Sequence, residues 1–457
     1  MPPSLALFIW LIILVGLLCY DPAKDSRISP ALWVPVTWMF IMSSRLPSQW
    51  LGQAAVSANV AYEEGNLLDR SIYSLLILLA VAILMSRSLQ WRDLFARNIA
   101  LTLVLAYTLL SITWSDFLFI SFKRWLRDLG NYLMVIVVLS EPRPAEAVHA
   151  LLRRLCYLLI PLSVVLIKYY PDLGRGYDSW TGTAFYMGAT TTKNMLGALC
   201  LVSGIFLFWD TVRRWSSRTA RRTRHIIIVN VAFIGMTLWL LNLSASATSR
   251  ICLVLGCLVI ALAHGRSVTR SPTLLKLVIP MCLCLYLVLD FSFGVSDLVA
   301  YAVGRDPTFT GRSVLWNDLL SLNTNPLVGT GYESFWLGDR LELIWLRHPF
   351  RPNQAHNGYL EVYLNLGLIG LFVLGGFLIA SYLSICSGLA HPAGLASLGL
   401  ALWSILIAYN GTEAAFKGHL VWLAFMLSAI TVRSRTENPR PSRVKEYLIK
   451  VPPDFLW

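Results

Sequence analysis

His356 is the residue whose type and setting best suit proton transfer. The preceding Arg351-Pro352-Asn353 predicts a helix start with Asn353 as the N-cap, which places His356 in the first helical turn. The positive end of the helix dipole disfavours an imidazolium there, and a neutral imidazole is a competent general base. A single histidine at a helix end is also commonly structural, so the surrounding residues have to decide between the two interpretations.

A polar stripe follows His356 along the same predicted helix. Asn357, Glu361 and Asn365 recur every four residues, so their side chains share one face of an otherwise apolar segment. Polar groups at membrane depth need partners or a function. The stripe therefore favours a functional role for this segment.

Cationic residues near helix starts form a second chemical signal. Lys193, Arg250 and Lys417 stand, like His356, where a helix dipole disfavours positive charge. A bound anion would explain all of them, because exposed N–H groups and cationic side chains together form a phosphate site. Snorkelling or a local ion pair is the alternative explanation for each.

Arg250 has the most unusual surroundings of these cations. It follows the run Ser244-Ala245-Ser246-Ala247-Thr248-Ser249, whose small side chains allow its guanidinium to approach a neighbouring helix or a substrate. A second candidate cationic group comprises Lys123, Arg124 and Arg127 in a weaker helical stretch.

These residues belong to a chain that lies mostly in lipid. Of its 457 residues, 56% are hydrophobic and 14% are charged, whereas roughly a quarter of a soluble domain is charged. Apolar stretches near the length of a bilayer crossing predict an all-α integral membrane protein with about 12–13 transmembrane helices. The net charge of +13 is dispersed over short loops, which indicates membrane orientation and no nucleic-acid partner.

The short basic loops predict the orientation of the chain. Loops with clustered Arg and Lys, at 87–97, 213–224 and 266–276, are expected to be cytoplasmic. The predicted regions are an N-terminal bundle of about ten helices (1–290), a large extracytoplasmic helical loop between the last spans (291–355), C-terminal helices (356–432) and a basic cytoplasmic tail (433–457). Within the large loop, the amphipathic spacing from Arg312 to Leu322 predicts a helix. The cationic helix starts then lie on the extracytoplasmic face.

Several common catalytic motifs are absent from the sequence. There is no GxxxxGK[ST] loop, no HExxH, no GxSxG and no paired Asp of the kind that holds a metal-bound nucleotide sugar. The eight cysteines lie in or at the ends of apolar runs and predict neither disulfides nor zinc ligands. We expect no metal site and no cofactor.

The segment around His356 resembles the signature of the O-antigen ligase and polymerase superfamily. Three stretches of the sequence carry most of the resemblance: 354–361 (QAHNGYLE), 365–370 (NLGLIG) and 325–332 (NPLVGTGY). Gly311-Arg312, Lys193-Asn194 and Thr248-Ser249-Arg250 add weaker matches. The specific match covers roughly residues 304–376, and elsewhere only the helix pattern agrees.

The resemblance implies a metal-independent, inverting transfer of a glycan from an undecaprenyl-pyrophosphate carrier to a sugar hydroxyl. His356 matches the family's base, and Arg250 and Arg312 match residues that stabilise the departing pyrophosphate, a role suited to a planar guanidinium. Lys193, Asn357, Glu361 and Arg124 are the candidate substrate-binding residues. We expect Asn357 and Glu361 to orient His356 or the acceptor.

The resemblance leaves two reactions open. The wording of residues 304–312 and 331–336 favours repeat-unit polymerisation of exopolysaccharide or O-antigen, and ligation of a finished glycan to lipid A core is the alternative. A non-catalytic polysaccharide or lipid transporter is a further alternative, although its charges would be expected deep within several helices.

The implied partners are the lipid-linked donor, a glycan or lipid-linked acceptor, the bilayer and a candidate chain-length regulator. The implied location is the bacterial cytoplasmic (inner) membrane, multi-pass, with the active site on the periplasmic face.

Overall fold

The described part of the chain is almost entirely helical. The structure, a computed structural model, describes residues 1–19, 28–52, 65–177, 182–215, 218–265, 276–277, 279–281, 312–322, 324–390 and 394–432. Most of the basic loop predicted at 266–276, the first part of the large loop and the tail 433–457 lie outside these residues.

The helices of the first half come before one small antiparallel strand pair in the chain. The helices are α1 (Pro3–Cys19), α2 (Trp33–Met42), α3 (Pro47–Trp50), α4 (Leu67–Ser86), α5 (Trp91–Arg97), α6 (Ile99–Leu110), α7 (Leu118–Leu139), α8 (Pro144–Tyr169) and α9 (Pro171–Gly174), and short 3₁₀ turns cover Pro30–Leu32 and Ser111–Trp114. The strands are β1 (Arg175–Tyr177) and β2 (Ala184–Tyr186), with Gly176 opposite Phe185.

The second half supplies the remaining helices. They are α10 (Lys193–Arg214), α11 (Arg221–Ser244), α12 (Ala247–Ala263), α13 (Arg312–Ser321), α14 (Gly338–Arg347), α15 (Gly358–Ser387), α16 (Ala396–Tyr409) and α17 (Leu420–Ala429), with a 3₁₀ turn at Gly388–Ala390. The helix predicted from Arg312 to Leu322 is thereby confirmed as α13.

Five of these helices are long and apolar enough to cross a membrane. They are α4, α8, α10, α11 and α15, and the pair α5 and Ile99–Trp114, bent by 93°, is a sixth if it counts as one broken span. Shorter apolar helices of 10–17 residues include α1, α12, α16 and α17. The all-α membrane architecture is thus confirmed, while the count of 12–13 spans and the four-region division stay predictions.

Hydroxyl side chains determine where two helices of the site begin. The Thr192 side chain accepts a hydrogen bond from the Met195 N–H and caps α10, and Ser246 accepts from the Ser249 N–H to cap α12. Such caps satisfy backbone donors that a helix start leaves without partners. Lys193 is therefore the first residue of α10, at the predicted helix start.

Helix α15 is broken at Gly367, and an earlier loop fills the break. Gly367 has φ +66°, and a Cβ there would lie 2.2 Å from the backbone of Leu327. Loop carbonyls of Pro326 and Leu327 accept hydrogen bonds from the N–H groups of Leu368 and Ile369, at 2.9 and 3.1 Å. In the other direction, Thr330 and Gly331 donate to the carbonyls of Leu364 and Asn365. The loop thus satisfies backbone groups that the break would leave unpaired.

The described part of the large loop has a small core of its own. Leu315, Leu319, Phe335 and Ile344 are at most 2% exposed and pack with Ala355. This cluster joins α13 and α14 to the segment that precedes α15. Residues 324–357 are therefore packed against the start of α15.

Candidate functional site

The carboxylate of Glu413 joins three elements that are far apart in the sequence. Its Oε1 accepts hydrogen bonds from Nδ2 of Asn194 at 2.9 Å and from Nη2 of Arg312 at 3.0 Å. Its Oε2 lies 3.5 Å from Nδ1 of His356. We call Glu413, His356, Arg312 and Asn194 the Glu413 cluster. Two of the predicted catalytic residues, His356 and Arg312, therefore meet at one carboxylate.

The loop that carries Glu413 is held in place by Asn410. The Asn410 carbonyl accepts from the Gly358 N–H at 2.8 Å, and its side-chain oxygen accepts from the Ala415 N–H at 2.8 Å. Asn410 is fully buried. It thereby fixes residues 410–419 against the start of α15, next to His356.

His356 precedes α15 and does not lie in its first turn. The N-cap is Asn357, whose side chain accepts hydrogen bonds from the N–H groups of Tyr359 and Leu360. The prediction of Asn353 as the N-cap was therefore wrong, because the chain turns once more before the helix begins. The Asn357 side chain caps the helix, and the role expected of Asn357 in orienting His356 or the acceptor stays a prediction.

The backbone at His356 adopts a conformation that is unusual for this residue type. Its φ is +49°, in the left-handed region that non-glycine residues rarely occupy. The peptide of Ala355 is held on both sides, since its N–H donates to Glu361 Oε2 at 2.9 Å and its carbonyl accepts from Trp316 Nε1 at 2.7 Å. Strain of this kind persists where the surroundings impose it, and it concentrates at functional sites.

Arg312 and Glu413 form a mostly buried ion pair. Their side chains are 14% and 9% exposed, and Arg312 also donates to the carbonyl of Thr412. Burial raises the pKa of the Glu413 carboxyl, but the hydrogen bond from His356 and the charge of Arg312 outweigh burial and hold the pKa below its ordinary value. Glu413 is therefore ionised at neutral pH and can keep His356 oriented.

Lys193 and Arg250 lie beside the Glu413 cluster without entering it. Lys193 precedes Asn194, and Thr248, two residues before Arg250, has its hydroxyl 2.7 Å from that of Thr412. Both cations are exposed. Among the described residues, the structure records no ion pair for the Arg250 side chain, so its charge can face a ligand.

A second group of charges surrounds Glu361. Glu361 accepts from Trp336 Nε1 at 2.8 Å and from Lys417 Nζ at 3.2 Å, and Lys417 also pairs with Glu333. Arg124 donates to the Glu333 carbonyl at 2.8 Å. Glu361 accepts hydrogen bonds from the N–H of Ala355, which precedes His356, and from Lys417, and its role in orienting His356 or the acceptor stays a prediction.

Glu333 is ionised within this second group. Burial raises the pKa of its carboxyl, but the charges of Lys417 and Arg124 hold the pKa below its ordinary value. Its φ of +55° is another left-handed conformation. Lys417 thus forms ion pairs with two carboxylates, those of Glu333 and Glu361. This agrees with the local ion pair that was the alternative explanation for its position.

Sequence reasoning missed Glu413 and Glu333. Glu413 lies outside the stretches that carry the resemblance, Glu333 lies within residues 331–336 but was assigned no role, and each follows a glycine by two residues in a loop. The signal that could have found them is charge balance, because buried cations on one membrane face need carboxylate partners. Glu413 pairs with Arg312 and Glu333 pairs with Lys417, so these two carboxylates balance the two cations.

Comparison with known proteins matches a part of the chain that contains several residues of this site. The O-antigen ligase family matches residues 231–375, which include Arg250, Arg312, His356 and the break in α15. The exopolysaccharide production protein ExoQ of Rhizobium meliloti (strain 1021) is 33% identical over 95 residues. That match spans 20% of this chain and 22%, about a fifth, of the relative. The apolar helices and these matches indicate a multi-pass bacterial membrane protein, and the resemblance to the O-antigen ligase and polymerase superfamily is confirmed, with residues 231–375 carrying the family's sequence pattern.

Proposed function

We propose that the chain transfers a glycan from an undecaprenyl-pyrophosphate carrier to a sugar hydroxyl at the outer face of the bacterial inner membrane. The observation that carries this proposal is the pairing of His356 with the ionised Glu413 beside Arg312. A carboxylate that accepts from Nδ1–H leaves Nε2 of the imidazole with its lone pair. Such a ring can take the proton of an attacking hydroxyl.

The reaction breaks the bond between the glycan's first carbon and the pyrophosphate oxygen and forms a bond from that carbon to the acceptor oxygen. The acceptor proton passes to Nε2 of His356, and the pyrophosphate leaves with the bonding electron pair. Arg250 supports the leaving group, because its exposed guanidinium can bind two phosphate oxygens at once. Lys193, at the start of α10, adds a second positive charge and a helix N-terminus nearby.

Arg312 holds a different position in this scheme. Its guanidinium already binds Glu413 and the Thr412 carbonyl, so its first effect is to fix the carboxylate that orients His356. Any contact with the pyrophosphate uses the remaining N–H groups of the same fork.

Repeat-unit polymerisation is the form of the reaction that we favour. The relative named as an exopolysaccharide production protein supports it, and so does the amino-acid sequence of residues 331–336. Ligation to lipid A core is the second candidate, and the family match to O-antigen ligase supports that alternative. A chain-length regulator is the partner expected for polymerisation alone.

Reconstitution of the purified chain with a lipid-linked oligosaccharide tests the proposal. We expect release of undecaprenyl pyrophosphate together with products that contain multiples of the repeat unit. A single addition to lipid A core would support ligation instead. Movement of intact lipid-linked glycan across the vesicle, with no pyrophosphate released, would show a transporter and refute the proposed chemistry.

A further inference from the structure

A cavity of about 250 Å³ lies next to the Glu413 cluster. Its walls come from α2, the turn after it and α3, from α4 and α7, from Thr191 and the first turn of α10, and from Gly418. The lining residues that matter here are Ser44, Gln49, Tyr73, Arg127, Asp128 and Thr191. We call this space the Arg127 cavity.

The lining suits a ring with polar substituents. The half-buried Tyr73 ring forms an aromatic wall and is backed by the fully buried Trp38 ring, which meets it edge to face at 4.8 Å. Gln49 and Thr191 bring amide and hydroxyl groups, and the Ser44 hydroxyl is already bonded to the Phe40 carbonyl. An apolar cavity of about 150 Å³ can hold benzene, and pockets for drug-sized ligands start near 300 Å³. The Arg127 cavity therefore has room for one substituted six-membered ring.

Arg127 gives the cavity a positive charge that is weakly paired. Its side chain is 54% exposed, and its recorded carboxylate contact is Asp128 Oδ1 at 4.0 Å. The other oxygen of Asp128 accepts from the Tyr332 hydroxyl at 2.7 Å, and Asn131 also donates to Asp128. The Asp128 charge is thus shared among several donors, and the guanidinium of Arg127 retains N–H groups for a ligand anion.

The cavity adjoins the proposed reaction centre. Met195 lines the cavity, while the preceding residue, Asn194, donates to Glu413. Gly418 also lines it and follows Lys417, which pairs with Glu361. Two adjacent residues in the first turn of α10, Asn194 and Met195, therefore contribute to the two sites.

We propose that the Arg127 cavity binds one sugar residue that carries an anionic group, either a carboxylate or a phosphate. The proposal rests on the proposed function, because the bound residue would belong to a glycan that reacts beside it at His356. Arg127 would bind the anionic group, the aromatic wall would face the ring, and the hydroxyl and amide groups would recognise its substituents. The Arg127 cavity then selects which glycan is accepted.

Direct binding to the purified full-length chain tests this site without any transfer reaction. The probes are methyl glucuronide, glucose 1-phosphate, methyl glucoside and inorganic phosphate, each followed by saturation-transfer NMR and titration. We expect at least one anionic sugar to bind more than tenfold more tightly than methyl glucoside. Preference for methyl glucuronide would indicate an acidic sugar of the glycan, and preference for glucose 1-phosphate would indicate the carrier end.

Variants locate the binding. Arg127→Gln should weaken the anionic sugar at least tenfold, and Arg127→Lys should retain part of the affinity because the charge remains without the planar fork. Arg143→Gln is the matched control, since Arg143 is a surface residue that pairs with Glu146 at 3.4 Å, away from the cavity. His356→Asn should bind the same sugar as the wild type, which separates this site from the transfer chemistry.

Three results would overturn the proposal. They are no detectable sugar binding, equal affinity for methyl glucoside and both anionic sugars, and inorganic phosphate binding as tightly as the tighter of the two anionic sugars. Unchanged binding by a well-folded Arg127→Gln protein would place the sugar elsewhere. A chain that binds anionic sugars through Arg127 but releases no pyrophosphate would instead refute the proposed function alone.

Discussion

Nδ1 of His356 lies 3.5 Å from Oε2 of Glu413, although 57 residues separate them in the chain. This pairing favours the tautomer with a proton on Nδ1 and leaves Nε2 as the basic nitrogen. A catalytic hydrogen bond of this length is expected to shorten when substrate fills the site. The relationship supports the proposed role of His356 as the base, which its place in the sequence alone left undecided.

Replacement of His356 with Asn should abolish transfer while the fold survives. Asn accepts a left-handed backbone more readily than most residues, so the variant tolerates the φ of +49° that His356 adopts. Loss of a positioned base should lower the transfer rate about 100- to 10,000-fold. Reconstituted turnover and thermal unfolding should be measured on the same preparation. A stable variant with near-normal turnover would show that His356 is not the base.

Arg250→Ala and Arg312→Ala should differ in their effects on stability. Both should lower the transfer rate, by about 100- to 1,000-fold for a lost charge-stabilising donor. Arg250 is exposed, so its removal should leave the unfolding temperature unchanged, whereas Arg312→Ala deprives the buried Glu413 of its cation and should lower it. Equal destabilisation by the two substitutions would contradict the assigned roles.

The difference in unfolding temperature between wild type and Glu413→Gln should depend on pH, because the wild-type carboxylate is ionised. The pKa of Glu413 is held below its ordinary value, so its ionisation stabilises the fold above the ordinary pKa of glutamate. That stabilisation is lost only as the pH falls through the lower, folded-state pKa. The difference in unfolding temperature between wild type and Glu413→Gln should therefore be constant near neutrality and decrease in acid.

The control for Glu413 is Glu146→Gln, which changes an exposed glutamate paired with Arg143. This control should change neither the unfolding temperature nor the turnover appreciably, since exposed ion pairs contribute about 0–1 kcal/mol. A pH-independent difference for Glu413→Gln would mean that the carboxyl is not ionised in the folded protein.

Gly358→Ala should disturb the site without removing any of its functional groups. A Cβ at Gly358 would lie 1.9 Å from the side-chain oxygen of Asn410, the residue that fixes the loop of Glu413. Gly375→Ala in the same helix is the control, because its Cβ would meet nothing within 4 Å. We expect turnover to fall for Gly358→Ala and to persist for Gly375→Ala. Normal turnover in both would show that the Asn410 contact does not position His356.

The predicted orientation is open to a labelling test. In a background where the exposed Cys19 is replaced by Ser, Ser321→Cys and Thr219→Cys place thiols at two exposed positions. Ser321 should react with an impermeant reagent in intact spheroplasts, and Thr219 only after lysis. The reverse labelling pattern would put the Glu413 cluster on the cytoplasmic side.

Much of the architecture was predictable because the membrane imposes simple rules. Apolar length indicated the spans, and hydroxyl residues marked the starts of α10 and α12. The start of α15 was predicted one turn too early, because Asn353 and Asn357 are both plausible caps and local sequence does not decide between them. Tertiary contacts of Ala355 decide it in the structure.

The site was predictable only in part, for a physical reason. His356 and Arg312 stood out by type and position, but their common partner Glu413 comes from a loop near the end of the chain. Pairing across such a separation depends on how the helices pack, which no local pattern encodes. Arg127 illustrates the same limit, since the cavity that it lines is formed by five separate parts of the chain.

The break in α15 also bears on how far from the lipid the proposed reaction centre would lie. The part from Leu368 to Ser387 is by itself about the 20 residues needed to cross the hydrocarbon core. The nine or so residues before Gly367 then rise about 14 Å further, at 1.5 Å per residue. Glu361 and His356 would consequently lie at the level of the lipid headgroups. The pyrophosphate of a lipid carrier is exposed to water at that level, and a sugar acceptor can reach it without entering the hydrocarbon core.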